Sequence, residues 1–208
     1  EDFKKIDKII LVDNKKVSLK ELTPIINYYI EHDKEFTRLL KDLKRNKVAG
    51  NFNIVEEKKF LKKKCYININ SVKVKFKLPA KKTKIKLNGE EISVNEDGNR
   101  IIPGTYTLQY IVNTDYGKVE DKKKIDIFKN EDINIEANII NITLYTNFPD
   151  AKVFLNDKEL KCTAKDIVNF GPVPSDGSSE IYIEREFPWG KIKSKKVKIN
   201  KENYIKLD

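Results

Sequence analysis

The chain has 208 residues, of which 39% are hydrophobic and 36% charged, and its formal net charge is +10. This balance is typical of a globular protein and excludes an intrinsically disordered chain. No apolar run approaches the roughly 20 residues of a transmembrane helix, and two cysteines, Cys65 and Cys162, are too few for a disulfide framework.

Residues 1–65 predict a helical domain. Ser18 and Glu21 have the spacing of a capping box, and Thr23-Pro24 offers a second helix start. Apolar residues then recur three and four apart along two short amphipathic helices. The second helix is predicted to begin with Asp33 as its N-cap.

A short β-hairpin completes this predicted domain. From Phe52 onwards the apolar residues alternate, and the polar stretch Glu56-Glu57-Lys58 is predicted to be its turn.

A ten-residue stretch then occurs twice, as TKIKLNGEEI at 83–92 and as AKVFLNDKEL at 151–160. In both copies a strand runs into Asn-Gly or Asn-Asp, pairs that tolerate the positive φ of a tight hairpin turn. The similarity continues at Tyr116-Gly117 and Trp189-Gly190, which each separate two further strands. The repeat predicts two copies of one β-module, with the hairpins at equivalent positions and Trp189 in the place of Tyr116.

The predicted fold class is α+β, with the helical domain (1–65) followed by two small immunoglobulin-like β-sandwich modules (66–138 and 139–208). The segment 129–138 between the modules contains no Gly, Pro or Ser. Flexible linkers are rich in Gly and Ser, so this segment is predicted to be a stiff strand-to-strand connection.

Five lysines on two consecutive predicted strands are candidate contacts for a polyanion: Lys73, Lys75, Lys77, Lys84 and Lys86. They alternate with apolar residues and are predicted to line one sheet face or edge. A different interpretation is a solvated face that protects the sheet from edge-to-edge pairing. Lysine enrichment is also typical of proteins from A+T-rich genomes. Because the chain has only four arginines, a nucleic-acid partner is not favoured.

Trp189 and Phe187 are candidate aromatic contacts, because they form the one aromatic cluster at a predicted turn. In a β-module such a cluster can instead close the end of the hydrophobic core.

No catalytic, cofactor-binding or metal-binding residue is predicted. One histidine and two separated cysteines cannot build a zinc site, and the glycine patterns of phosphate and dinucleotide loops are absent. The adjacent carboxylates at 56–57 and 90–91 fall on predicted exposed turns, which suits acid catalysis poorly. We therefore expect a binding or scaffolding protein that uses no cofactor.

The order of these elements resembles the extracytoplasmic part of the teicoplanin-resistance-associated membrane protein family. The resemblance rests on the predicted helical hairpin, on the strand Cys65-Tyr66-Ile67-Asn68-Ile69, and on the two Asn-Gly/Asp hairpins. The stretch from Phe148 to Asn156 also resembles the opening of PEGA-type surface modules.

This resemblance implies the extracytoplasmic face of a bacterial cell membrane, with an anchor outside the chain, which begins with Glu1 and contains no methionine. It implies a non-enzymatic stalk or binding module for cell-wall components or an envelope partner, linked to susceptibility to glycopeptide antibiotics. An intracellular polyanion-binding protein is the alternative, and an accessory region of an enzyme is a third hypothesis.

Overall fold

The computed structural model describes residues 10–59 and 62–208. Two helices form near the start, α1 (Leu19–Glu31) and α2 (Asp33–Asn46). Ser18 caps α1 and shares a complete capping box with Glu21, as predicted. The second start at Thr23-Pro24 is wrong, because α1 runs through Pro24. The N-cap of α2 is His32 rather than Asp33, and it makes no side-chain cap hydrogen bond.

Five strands pair around these helices in the order β2-β1-β5-β4-β3. They are β1 (Ile10–Val12), β2 (Lys15–Lys16), β3 (Val48–Ala49), β4 (Phe52–Lys59) and β5 (Lys62–Ile69). The turn predicted at Glu56-Glu57-Lys58 is wrong, because these residues lie within β4 and pair with β5. The other neighbour of β5 in the sheet is β1, which runs parallel to it. The predicted hairpin is present as the antiparallel pair β4 and β5, and β1, β2 and β3 extend it to a five-stranded sheet that was not predicted.

Seven strands follow in the first repeat. They are β6 (Val72–Lys77), β7 (Thr83–Leu87), β8 (Glu90–Ile92), β9 (Asn99–Ile101), β10 (Gly104–Thr114), β11 (Gly117–Ile127) and β12 (Glu131–Asn134). One sheet has the order β11-β10-β7-β8, and the other has the order β12-β6-β9. The segment 129–138 was predicted as a connection between modules, but it contains β12, which pairs parallel with β6.

The second repeat contains eight strands and one short 3-10 helix (Ala164–Asp166). The strands are β13 (Ile139–Tyr145), β14 (Lys152–Leu155), β15 (Lys158–Thr163), β16 (Phe170–Pro174), β17 (Glu180–Phe187), β18 (Gly190–Lys193), β19 (Val197–Lys198) and β20 (Tyr204–Lys206). Their sheet orders are β15-β14-β17-β18, with β19 also paired to β17, and β16-β13-β20.

The two repeats have the same strand order, which confirms the repeat inferred from sequence. The four-stranded paths β8-β7-β10-β11 and β15-β14-β17-β18 correspond one to one, as do β12-β6-β9 and β20-β13-β16. Both Asn-led hairpins have positive φ at their two central residues: Asn88 and Gly89 in one, Asn156 and Asp157 in the other. Tyr116 and Trp189 each precede the glycine that opens the final hairpin strand, as predicted.

The chain divides into two compact units whose boundaries cut across the first repeat. Unit 1 contains the described part of Glu1–Lys77 together with Ile85–Gln109 and Lys122–Asn134. Unit 2 contains Leu78–Lys84, Tyr110–Asp121 and Ile135–Asp208. The predicted three-part division at residues 65 and 138 stays a prediction.

Each unit has its own hydrophobic core. The core of unit 1 contains Leu22, Ile25, Leu43, Phe52 and Ile69 among its buried residues. The core of unit 2 includes six fully buried aliphatic side chains, namely Ile142, Val153, Ile167, Val173, Ile181 and Ile199. Burying a side chain of this kind contributes about 1.5–3 kcal/mol to folding, so each unit has apolar contacts that hold its sheets together.

Unit 1 also contains a very close backbone approach between helix and sheet. Gly104 starts β10, and a Cβ atom built there would lie 2.4 Å from the carbonyl carbon of Pro24 and 2.5 Å from the nitrogen of Ile25. Pro24 and Ile25 are both buried. The glycine therefore permits α1 to pack directly on the backbone of β10.

Candidate functional site

The five predicted lysines do not share one sheet. Lys73, Lys75 and Lys77 are exposed on β6, opposite the buried Val72, Val74 and Phe76. Lys84 and Lys86 lie on β7, which belongs to the other sheet of the repeat. The expectation of a single lysine-lined face is therefore wrong, because the chain crosses to the second sheet between the two strands and does not form a hairpin.

An arginine that was not predicted joins the β6 lysines. Arg100 on β9 lies directly across from Lys73. We call Lys73, Lys75, Lys77 and Arg100 the basic face. Like charges placed directly opposite each other destabilise a strand pair by a few tenths to about 1 kcal/mol. Arg100 also forms an ion pair of 3.7 Å with Asp13, which compensates part of this charge.

Two local features shape the basic face. A Cβ at Gly98 would lie 3.0 Å from Cγ of Lys73 and 3.2 Å from Cγ of Lys75, so the bare glycine makes room for both lysine stems. Lys77 forms an ion pair of 2.9 Å with Asp132. Its hydrogen bond is the main cause that lowers the pKa of the Asp132 carboxyl. Part of the positive charge at this end of β6 is thereby compensated.

The second candidate site lies at the tip of the β17-β18 hairpin in unit 2. Alternation along β17 directs Ile181 and Ile183 into the core, and the same parity places Arg185 and Phe187 beyond the end of that core. The paired strand β18 contributes Ile192, which lies across from Arg185. Together with Phe148 and Trp189 these side chains form what we call the tip cluster: Phe148, Arg185, Phe187, Trp189 and Ile192.

The tip cluster is a stack of rings held by a guanidinium group. The Phe187 and Trp189 rings are stacked at 5.3 Å with an interplanar angle of 18°. Phe148 meets Phe187 edge-on at 6.1 Å. The Arg185 guanidinium carbon lies 5.2 Å from both phenyl ring centres, within the range of a cation–π interaction.

Burial separates two roles within the tip cluster. Phe148 and Phe187 are half-buried, and Phe148 packs against the core. By contrast, 76% of Trp189 and 52% of Ile192 are exposed to solvent. A cavity of about 80 Å³ is lined in part by Phe148, Arg185 and Ile192 but not by Trp189. The phenylalanines therefore close the end of the core, while Trp189 presents an exposed ring that stacks on Phe187.

The outward side of β17 differs from this tip. Its Tyr182 ring is 6% exposed, stacks on Phe154 at 4.9 Å, and has the ammonium groups of Lys193 and Lys196 5.6 Å above it. Aromatic surface here is thus already covered by the protein's own side chains. Sequence reasoning identified Trp189 and Phe187 but missed Arg185, Ile192 and Phe148. The alternation of side chains along the strands could have indicated Arg185 and Ile192, whereas Phe148 reaches the cluster from a loop.

The described residues contain no group of three or more His, Cys, Asp or Glu side chains that could hold a metal ion. No helix in the described part of the chain is long and apolar enough to cross a membrane. The expectation that the chain has no catalytic residues stays a prediction.

The fold and its surface define a class of protein: an α+β chain with two β-modules of equal strand order. Residues 138–208, which form the second module, match the family model of the TcaA protein 3rd/4th domain. The predicted resemblance to the teicoplanin-resistance-associated membrane protein family is thereby confirmed.

The uncharacterized membrane protein YvbJ of Bacillus subtilis (strain 168) is 26% identical over 204 residues. The alignment covers 90% of this chain and 34% of the relative, so the chain spans about a third of the length of that curated protein. No solved structure matches the chain.

Proposed function

We propose that this chain is a non-enzymatic, extracytoplasmic region of a membrane-anchored cell-envelope protein that binds a cell-wall component or an envelope partner. The family match and the relative's description as a membrane protein support a cell-envelope protein. They do not favour the alternative of an intracellular polyanion-binding protein. By its family resemblance, the proposed role also includes an effect on susceptibility to glycopeptide antibiotics.

The exposed ring of Trp189 is the observation that carries this proposal. A tryptophan that is 76% exposed leaves a large apolar area in water. Its ring stacks on Phe187, which is itself contacted by the guanidinium group of Arg185. Rigid, partly apolar side chains such as Trp lose little conformational entropy on binding and dominate many recognition surfaces. This surface lies in the segment that matches the family model.

We expect the substitution Trp189→Ala to weaken binding to purified cell walls by about tenfold or more. Tyr204→Ala is the matched control, because Tyr204 is also aromatic, belongs to the same unit and is 67% exposed. Co-sedimentation with walls measures both variants. In the unmodified chain Trp189 is the sole tryptophan, so its fluorescence reports contact directly. If Trp189→Ala and the unmodified chain bind cell walls equally well, the tip cluster does not contribute to wall binding.

The basic face is proposed to add an electrostatic contribution to binding of an anionic wall polymer. Affinity for a polyanion falls with salt concentration, because each neutralised phosphate releases counterions. We expect the double substitution Lys73→Gln and Lys75→Gln to reduce the slope of log affinity against log salt by about 1.5–2, by analogy with nucleic acids. Lys198→Gln, an exposed lysine on β19, is the control. An affinity that does not change with salt concentration would exclude this electrostatic contribution.

We also propose that the two repeats are immunoglobulin-like sandwiches and that they serve as a stalk. In each repeat a four-stranded path accompanies a three-stranded sheet, which gives two sheets built from alternating buried and exposed residues. Such rigid modules suit a spacer that presents a binding surface.

A further inference from the structure

A further cavity in unit 1 contains no residue of the basic face or the tip cluster. It has a volume of about 400 Å³ and lies between α2, the start of β4 and the end of β11. Small-ligand sites commonly measure 300–1,000 Å³. The size of this cavity, called the helix cleft below, is therefore sufficient for a compact ligand.

The floor of the helix cleft is aromatic. It is formed by Tyr29, Phe52 and Phe128. The ring centres of Tyr29 and Phe52 are 6.0 Å apart, and Phe52 is 7% exposed. The side-chain amide of Asn51 donates a hydrogen bond of 2.7 Å to the carbonyl oxygen of Phe128, which fixes that part of the floor. The floor is thus formed before any ligand arrives.

The rim of the helix cleft carries charges of both signs. Glu35, Arg38 and Asp42 all line the cavity, and their spacing of three and four residues places them along one side of α2. Neither Arg38 nor Asp42 forms an ion pair with any residue that the structure describes. A guanidinium between two carboxylates is therefore available to an external partner.

The negative charge of Glu35 acts on its neighbours. Its carboxylate accepts a hydrogen bond of 2.6 Å from the Tyr28 hydroxyl, and this bond is the main cause that raises the pKa of Tyr28 to about 12. Burial, followed by the charge of Glu35, also raises the pKa of Tyr29. A ligand ammonium group at the rim would experience the same charge.

We propose that the helix cleft binds a short zwitterionic peptide, with its carboxylate on Arg38, its ammonium group at Asp42, and an apolar side chain on the aromatic floor. Arg binds carboxylates through two parallel hydrogen bonds. Ammonium groups are attracted both to carboxylates and to aromatic faces. Each of the three chemical features of the cavity thereby has a counterpart in one ligand. This inference does not depend on the tip cluster or on wall binding.

The test uses the full chain and the dipeptide alanyl-phenylalanine in calorimetric titrations, with heteronuclear NMR to locate the contact. We expect a dissociation constant on the order of 1 mM or below. The N-acetylated peptide lacks the ammonium group and the C-terminal amide lacks the carboxylate. Each should bind about tenfold more weakly than the zwitterion.

Variants then assign the contacts. Arg38→Gln should weaken binding of the zwitterion about tenfold and leave the C-terminal amide unaffected. Asp42→Asn should weaken binding of the zwitterion about tenfold and leave binding of the N-acetylated peptide unaffected. Lys41→Gln is the control, because Lys41 is exposed on the same helix but does not line the cleft. The proposal would be overturned if no binding is seen at a peptide concentration about 10-fold above the expected dissociation constant. It would also be overturned by equal affinity for all three peptides, or by an equal loss of affinity in Lys41→Gln.

Discussion

Replacing Gly104 by alanine is expected to destabilise unit 1 by about 3 kcal/mol or more. The added Cβ would lie 2.4–2.6 Å from three backbone atoms of Pro24 and Ile25. Backbone atoms inside a helix cannot turn aside as a side chain can, so α1 must move away from β10 as a whole. Urea denaturation followed by far-UV circular dichroism would measure the change in unfolding free energy.

Gly89→Ala is the matched control for this effect. Gly89 also has a positive φ, of 85°, but an added Cβ there has no heavy atom within 4 Å. Only backbone strain remains, which costs about 1 kcal/mol. If the two substitutions destabilise unit 1 equally, the close approach of helix and strand does not contribute.

Replacing Asn68 by alanine is expected to cost about 2–3 kcal/mol. Asn68 is 1% exposed and connects three partners around β5. Its Oδ1 accepts a 2.7 Å hydrogen bond from the backbone N–H of Asn14. Its Nδ2 donates to the side-chain oxygens of Asn53 at 3.0 Å and Asn70 at 2.9 Å. Removing a buried group of this kind leaves its partners without hydrogen bonds in a region that water does not reach easily.

The control for Asn68→Ala is Asn70→Ala. Asn70 contributes one side-chain oxygen to the network and is itself exposed. Water can therefore replace the hydrogen bond that is lost in Asn70→Ala. We expect a cost below about 1 kcal/mol, measured by the same denaturation. A similar cost for both substitutions would show that burial of the network has little energetic importance.

The repeat was readable from sequence because both copies keep residues that a tight hairpin requires. Asn88-Gly89 and Asn156-Asp157 adopt positive φ, and few other residue types do so at low cost. The capping box of Ser18 and Glu21 was readable for the same reason, since it depends on residues three apart. Local geometry leaves a local pattern.

Other features were not readable because they depend on residues distant in sequence. β1 pairs with β5 across more than fifty residues, so nothing near Ile10 indicated a five-stranded sheet. The short strand β12 also gave no sign that it would join β6. Likewise, the charged residues Glu35, Arg38 and Asp42 of α2 did not indicate a cavity, because the fold brings Phe52 and Phe128 to the same cavity from elsewhere in the chain.

The parallel pairing of the first and last strands in each repeat has a mechanical consequence. In the second repeat, β13 and β20 run side by side in the same direction, with Thr143 across from Tyr204 and Tyr145 across from Lys206. Tension applied at the start of β13 and at the end of β20 would pull the two strands in opposite directions along their length. Their hydrogen bonds would then share the load at once, whereas bonds pulled from one end open one after another. β6 and β12 have the same arrangement in the first repeat. Modules with this pairing therefore resist being stretched between their two ends.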